Sequence, residues 1–479
     1  MRIFKLFIFI SIISLNANAQ QKWNLKTIVD YAMANNIGIK LNEVQAKIAD
    51  ITTKQSKLSQ YPNVSFTTNT GLNSGNNQDP TTFQRITQTY LNAGFQLQTS
   101  ADIFNFFSKK NTIAANEWDS KAAIATIEKT KNDIALLAAN SYLQILLSIE
   151  QEKITEVRIQ QTQAQLNVTR KQVKAGALPE LNATQLEAQL AQDSVNYFSA
   201  KGNTAVSIYQ LKSYMNIDAG ATFNVDTPPI NKIPLEPIAS LQPDYVYEMA
   251  IKNLPQQQVN EFKIKAAAKR VEVAKAAFYP TLSTYGSLGT SYIAANSPAY
   301  KAVIGAYQPN GQKVNVAGTD YFVTEPSFSL VKDGTSNSAS FPKQVADNLQ
   351  KSIGISIRVP IFNGGSQRSN YQISKLNINT LEYLKQQDNQ KLKQDIYQAY
   401  NAVTIALEKF SASKKSVDIN ELSLSYASKR FNVGMLSTFD LITTQNNLLT
   451  AKLQYALNQF DYVFKMKVLE FYKGQGLRL

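Results

Sequence analysis

Only carboxylates, amines, guanidines, hydroxyls and amides are available for chemistry in this 479-residue sequence, because it contains neither cysteine nor histidine. That excludes disulfides, thiolate metal sites, a cysteine nucleophile, Ser-His-Asp hydrolysis and the usual zinc sites. An enzyme would have to work with carboxylates or lysines. A site acting on wall or polysaccharide needs two carboxylates facing each other across a cleft, and the long helical tracts here offer none. No phosphate-binding glycine loop is present, and neither a metal nor a cofactor is expected. The residues whose types and spacing do stand out flank two glycine turns. The first carries Gly176, Leu178, Glu180 and Asn182, and the second carries Gly434, Leu436, Ser437 and Asp440. Ser437-Thr438-Phe439-Asp440 has capping-box spacing, in which Asp440 satisfies a helix-start amide, and acidic first-turn residues are common.

The two turns belong to two copies of one pattern. Ala32, Asn35, Asn42, Glu43, Tyr61 and Pro62 recur, at one constant offset in numbering, as Ala250, Asn253, Asn260, Glu261, Tyr279 and Pro280. Ile103-Phe104-Asn105, Gly176, Leu178 and Asn182 recur, at a second and larger constant offset, as Ile361-Phe362-Asn363, Gly434, Leu436 and Asp440. Constant offsets over long tracts mark a tandem duplication, and the change of offset places an insertion in the second copy between its Tyr-Pro and Ile-Phe-Asn landmarks. The expected organisation is a signal peptide over 1–19, a first repeat over 20–217, a connector over 218–244 and a second repeat over 245–479. Five prolines between Asp218 and Asp244 make that connector extended, since each fixes its backbone and withholds an amide donor.

In each copy the turn sits between long helices. Ser108–Ala175 and Ser366–Val433 are tracts of equal length without glycine or proline, rich in good helix formers. A continuous helix of that length runs roughly 100 Å. Each tract stops at a glycine suited to the left-handed position after a helix. New helices start at Glu180, with Pro179 in the first turn, and at Thr438. A shorter helix leads into each copy, over Leu25–Gln60 and Tyr245–Phe278. Rods this long and this modest in hydrophobicity must bury a seam against neighbours.

Between the helices the pattern switches to period 2. Ile353, Ile355, Ile357, Val359 and Ile361 alternate with Gly354, Ser356, Arg358 and Pro360; Leu91, Ala93, Phe95, Leu97 and Thr99 alternate with polar residues and glycine. Val64 and Phe66 share one face, as do Leu282, Thr284 and Leu288. One apolar and one polar face over about ten residues is the pattern of a transmembrane barrel strand, and also of a half-buried strand in a soluble sheet. Four strands cannot close a membrane barrel, and an open edge in lipid leaves backbone groups unsatisfied. If these strands span a membrane, several chains must share one barrel, eight strands for a dimer and twelve for a trimer.

The start of the chain predicts export. Arg2 and Lys5 precede an apolar core at Leu6–Leu15, and Ala17-Asn18-Ala19 supplies a cleavage pattern before Gln20. The absence of cysteine argues against an N-terminal lipid anchor, and the absence of any other long apolar run argues against a helical membrane anchor. The formal charge of +14 falls to +12 on the mature chain, spread along the sequence rather than clustered as on nucleic-acid surfaces, so no nucleic-acid partner is expected.

Taken together these residues resemble the TolC-like outer-membrane efflux family. The resemblance rests on the duplication, on Trp23-Asn24-Leu25 leading to Ala32 and Asn35-Asn36, and on the Tyr-Pro strand starts at Tyr61 and Tyr279. It also rests on Val359-Pro360-Ile361-Phe362-Asn363-Gly364-Gly365 and on the turn from Phe431 to Asp440. It implies an α+β membrane protein, a homotrimer in which each chain gives four transmembrane strands to a twelve-stranded barrel, with the long hairpins forming a periplasmic α-barrel. It places the longer insertion, about Ala295 to Asn348, outside the cell. It sets the turns at Gly176 and Gly434 at the periplasmic tip, where a periplasmic adaptor (membrane fusion) protein and an inner-membrane RND, ABC or MFS transporter would dock. The function implied is the outer-membrane channel of a tripartite efflux or type I secretion system; the alternative is a structural or adhesive coiled-coil surface protein. In the family, acidic residues near the second turn narrow the entrance, and a ring of three Asp440 carboxylates would favour cations. Phe431, Leu436 and Thr443 stand where the family has a tyrosine, an arginine and a second aspartate. The resemblance therefore gives no ionic latch here, and Leu178 and Leu436 form either an apolar constriction or an adaptor contact.

Overall fold

The computed structural model describes residues 22–78, 83, 85–230 and 233–474; the signal peptide expected over 1–19 lies outside them. The first copy comprises α1 (Leu25–Asn35), α2 (Ile37–Leu58), β1 (Asn63–Gln78), β2 (Arg85–Phe104), α3 (Ser108–Lys174) and α4 (Glu180–Met215). The second comprises α5 (Pro243–Asn253), α6 (Pro255–Ala276), β3 (Thr281–Val316), β4 (Thr319–Asn337), α7 (Phe341–Asp347), β5 (Gln350–Arg358), α8 (Ser366–Asn432) and α9 (Thr438–Phe471). Both offsets persist in three dimensions: the starts of α5 and α6 follow those of α1 and α2 at the first offset, and the starts of α8 and α9 follow those of α3 and α4 at the second. The described residues form two compact units that cut across the copies, a helical unit from 22–53, 114–269 and 373–474 and a sheet unit from 54–113 and 270–372.

In the helical unit α3 and α8 are each 67 residues long, as tracts free of helix breakers allow. The core is duplicated along with the chain. Ile28, Ala32, Ala138, Ile145 and Leu211 lie in one buried cluster, and their counterparts Val246, Ala250, Ile396, Val403 and Leu469 lie in another. The connector is pinned rather than loose. Trp23 pairs with Val225 and stacks on Phe223 at 5.3 Å, and the Tyr142 hydroxyl donates to the Asp226 carbonyl at 2.8 Å. Burial, then the Asp226 charge, pushes the Tyr142 pKa up to about 12. Further on, the Glu236 amide donates to Glu470 and the Lys473 ammonium pairs with the Glu236 carboxylate at 2.7 Å.

Several expectations need correction. The leading helix of each copy is two helices, broken at Asn36 and at Leu254, which are equivalent positions with almost the same extended backbone. At Leu254 the following proline disfavours helix. At Asn36 the side chain makes the break, accepting from the Gly38 amide and donating to the Tyr214 carbonyl, both at 2.8 Å. Pro179 is the cap residue before α4 rather than its first turn, and the α5 helix starts at Pro243 instead of Tyr245.

The sheet unit is antiparallel, ordered β1-β2-β3-β4, with β5 pairing β3 as well. Its register brings the separate alternations into phase. Phe66 lies opposite Leu97, which lies opposite Leu288; Val64 meets Thr99, Leu72 meets Leu91, and Leu282 and Thr284 meet Ile357 and Ile355. Partners directly across an antiparallel ladder share a face. One face is therefore largely apolar across four strands, with Lys351 opposite Leu288 as a charge on it, and the other carries Ser65, Gln98, Ser287 and Ser352. The strands number five among the described residues, not four, because the fourth is interrupted: β4 runs back along β3, α7 intervenes, and β5 resumes. Most of the expected loop over Ala295–Asn348 is thus a two-stranded ribbon, turning at Ala317 and Gly318, both at positive φ, as two-residue hairpins require. Strand β5 ends at Arg358, before Val359, since Pro360 brings no amide to a ladder.

Strands and long helices are joined by a left-handed pair of residues in each copy. In the second copy it is Gly364 and Gly365 (φ 65° and 81°); at the equivalent positions of the first it is Phe106 and Phe107 (φ 50° and 64°). Aromatic residues in that conformation each cost about 1–2 kcal/mol. The offset comes from ring contacts: Phe106 stacks on Tyr279 at 3.9 Å, and Phe107 meets Phe104 edge-on at 5.6 Å.

Candidate functional site

The two turns close in the same way. Gly176 and Gly434 both have φ +75°. The Gly176 amide donates to Val173 O and Ala177 to Gln172 O; the Gly434 amide donates to Phe431 O and Met435 to Arg430 O. This paired pattern ends a helix with its last carbonyls satisfied and needs a left-handed residue after it. No atom lies within 4 Å of where a Cβ would stand at either glycine, so replacement meets only the conformational cost. Gly176→Ala and Gly434→Ala are each expected to lose about 1–2 kcal/mol, read as similar drops in the melting midpoint of the purified channel followed by circular dichroism; unequal drops would separate the two turns.

Beyond the glycines the copies diverge. The Ser437 hydroxyl accepts the Asp440 amide at 3.0 Å and donates to the Asp440 carboxylate at 2.7 Å, which ties the two candidates together at the start of α9. In the first copy Pro179 has no side chain to cap with, and the Asn182 amide donates to its carbonyl. Glu180 and Asp440 are exposed, whereas Leu178, Asn182 and Leu436 are half-buried. Thr443 donates its hydroxyl within the helix to Phe439 O at 2.9 Å. The two hairpins meet through their helices, with Ile442 packed into a cluster with Leu166, Ala183 and Leu186. The sequence reading missed Leu181 and Phe439, equivalent residues of the two copies that are 63% and 64% exposed. An apolar residue on the outward side of both first turns was the available signal.

Deeper in the helical unit lies a polar node that the sequence reading also missed. Arg158 of α3 and Asp193 of α4 are each only 3% exposed, with Arg158 Nε 3.3 Å from Asp193 Oδ2. Asp193 also accepts from Thr162 Oγ1 at 2.6 Å and Gln189 Nε2 at 2.7 Å, and Arg158 reaches Asn446 of α9. Burial lowers the Arg158 pKa, and the Asp193 charge opposes that shift. Ser416 and Ala451 occupy the equivalent places in the second copy, so the node exists once per chain.

This arrangement is built from helix ends, a two-faced sheet and a structural ion pair. No described helix is long and apolar enough to cross a membrane; the sheet carries a largely apolar face. Known structures share this architecture. The outer-membrane channel OprN superposes with a TM-score of 0.71 at 16% identity, over 95% of this chain and 90% of that one. Among proteins of known role, the chain is 19% identical to toxin and drug export protein A of Aggregatibacter actinomycetemcomitans, over 77% of this chain and 69% of that protein. It is 21% identical to the cation efflux system protein CusC of Escherichia coli, over 94% and 86%. The fold is that of an outer-membrane channel chain. Residues 29–216 and 246–469 match the family model for outer membrane efflux proteins, and the chain belongs to that family. It is a transport protein of the outer membrane, not an enzyme.

Proposed function

We propose that three copies share one twelve-stranded barrel in the outer membrane and extend their hairpins as an α-barrel into the periplasm. The turns at Gly176 and Gly434 then dock a periplasmic adaptor (membrane fusion) protein, which links the channel to an inner-membrane transporter of the RND, ABC or MFS type. The channel conducts passively, and the pump supplies the energy. The observation that carries this reading is the in-phase apolar face on a sheet too narrow to close: lipid favours that face, and only further copies can pair its free edges. Within this reading the mature chain starts after residue 19 without a lipid anchor, and the repeats at 20–217 and 245–479 build equivalent hairpins on either side of the connector.

At the tip, the exposed pair Leu181 and Phe439 offers an apolar contact for the adaptor, while half-buried Leu178 and Leu436 narrow the entrance. Asp440 is partly committed to Ser437, yet remains exposed and able to place a ring of carboxylates at the mouth. The names of the relatives point to toxins and drugs in one case and cations in another, in keeping with cargo being chosen by pump and adaptor. The test is ethidium accumulation in a deletion strain beside its parent and a strain carrying the gene in trans. Higher accumulation reversed by complementation supports small-molecule efflux. Unchanged accumulation, with loss of secreted proteins, moves the reading to type I secretion. A complementing Leu178→Ser/Leu436→Ser chain is expected to restore efflux but raise antibiotic influx, and unchanged influx would remove those leucines from the entrance.

A further inference from the structure

The outer part of the fourth strand is not a strand. β2 lines one edge of β3 from Leu282 to Ala295, so whatever meets Ser291, Ile293 and Ala295 from the other side stands on the edge used by β5. β5 covers that edge only as far as Gly289, and pairing with β4 begins only at Asn296 of β3. Between them α7 and its flanks supply the missing partners. The Gln344 carboxamide acts as a peptide group, accepting from Ile293 N at 2.9 Å and donating to Ile293 O at 2.8 Å. Asn348 donates to Ser291 O, Ser338 accepts from Ala295 N, and Thr290 donates its hydroxyl to Val345 O, each at 2.8 Å. Phe341 packs edge-on against Tyr292 at 5.2 Å and Phe95 at 6.2 Å, which fixes α7 to the sheet. The edge is thereby sealed, and α7 presents no ladder of its own to a further strand.

The opposite edge of the sheet has a complementary peculiarity. β1 pairs with β2 along all 16 of its residues, and no described strand pairs with its other side. Those residues include no charge and no proline, the usual guards of an exposed edge, so β1 is an edge made to be covered. β5, with nine residues, can pair with only part of it. In an antiparallel closure the Asn63 end of β1 meets β5, and the Gln78 end rises beside α7.

We propose that α7 is a seam element between copies of this chain, packing against the outer half of β1 of the neighbouring copy in place of a fourth strand. The inference rests on the shared-barrel reading and adds to it where the ladder stops and a helix takes over the wall. The outer half of β1 is rich in small uncharged residues, from Gly71 to Asn77, which gives a helix room to approach its edge. Pro342, Lys343, Ala346 and Asp347 are exposed on α7, and Phe341 is exposed in part.

The natural absence of cysteine makes a direct test possible. Ala346→Cys is combined in turn with Asn73→Cys, Gly75→Cys and Asn77→Cys, and the control combines Ser352→Cys of β5 with Thr67→Cys or Asn69→Cys. Outer membranes are treated with a short bis-maleimide, and inter-copy dimers and trimers are read on denaturing gels, counting only chains recovered in that fraction. At least one α7 pair is expected to link copies, while the single-cysteine chains do not. Adding Phe341→Ser/Gln344→Ala, which removes the ring contacts and the Ile293 hydrogen bonds that hold α7 to the sheet, should weaken the α7 link and spare the β5 link. A β5 link with no α7 link overturns the proposal and leaves the shared barrel standing. Failure of both links removes the shared barrel and the proposal together.

Discussion

Leu97→Arg is expected to empty the outer membrane of assembled channel, whereas Gln98→Arg, at the very next position, leaves it populated. Leu97 faces Phe66 on one side and Leu288 on the other, while Gln98 lies between Ser65 and Ser287. On the lipid side of a barrel an arginine near the bilayer midplane costs about 2–4 kcal/mol, whereas a substitution facing the lumen tunes selectivity instead. Each copy in an oligomer bears the cost, so the effect on assembly is compounded. The measurement is the amount of heat-modifiable oligomer in the outer-membrane fraction. Equal loss from both variants would mean that the two faces of the sheet do not divide lipid from lumen.

The second large effect is expected at the node between helices. Asp193→Ala leaves the Arg158 guanidinium buried with Asn446 as its remaining side-chain partner, and removing one member of a buried pair costs about 3–5 kcal/mol. Replacing both, as Arg158→Met/Asp193→Leu, should recover most of that loss, because well-packed apolar side chains often substitute for a buried pair without penalty. Denaturant titration of the purified channel checks both. If the double variant is no better than the single one, the cost lies in the Thr162 and Gln189 hydrogen bonds to Asp193 rather than in a stranded charge.

What the sequence disclosed was whatever depended on local chemistry. The two long tracts without glycine or proline became α3 and α8 to within a residue, and Gly176 and Gly434 marked helix ends because few other residues take a positive φ cheaply. The alternations at Val64, Leu91, Leu282 and Ile353 located four strands because a two-faced sheet repeats every second residue. Whatever depended on distant partners was hidden. The break at Asn36 is made by a carbonyl at Tyr214, and asparagine carries no mark of that role in sequence. The break at Leu254 is legible at Pro255, because the residue before a proline disfavours the helical conformation. The interruption of the fourth strand rests on Gln344 imitating a peptide group. Arg158 and Asp193 lie on different helices amid many other charged residues, so nothing local singles them out. At the tip, Leu178 and Leu436 are half-buried while Leu181 and Phe439 are more exposed, a difference set by packing between helices that local sequence does not carry.

The left-handed joints that lead into the two long helices also differ in mechanical character. Gly364 and Gly365 have no side chains to clash as the backbone turns, so the linkage into α8 is compliant and can be deflected at little cost. Phe106 and Phe107 adopt the same bend against their own preference and are kept there by stacked rings, so the linkage into α3 behaves as a braced strut. A duplicated chain thus acquires one stiff leg and one supple leg from the same ancestral bend, and any flexing at these joints is directed through the supple one.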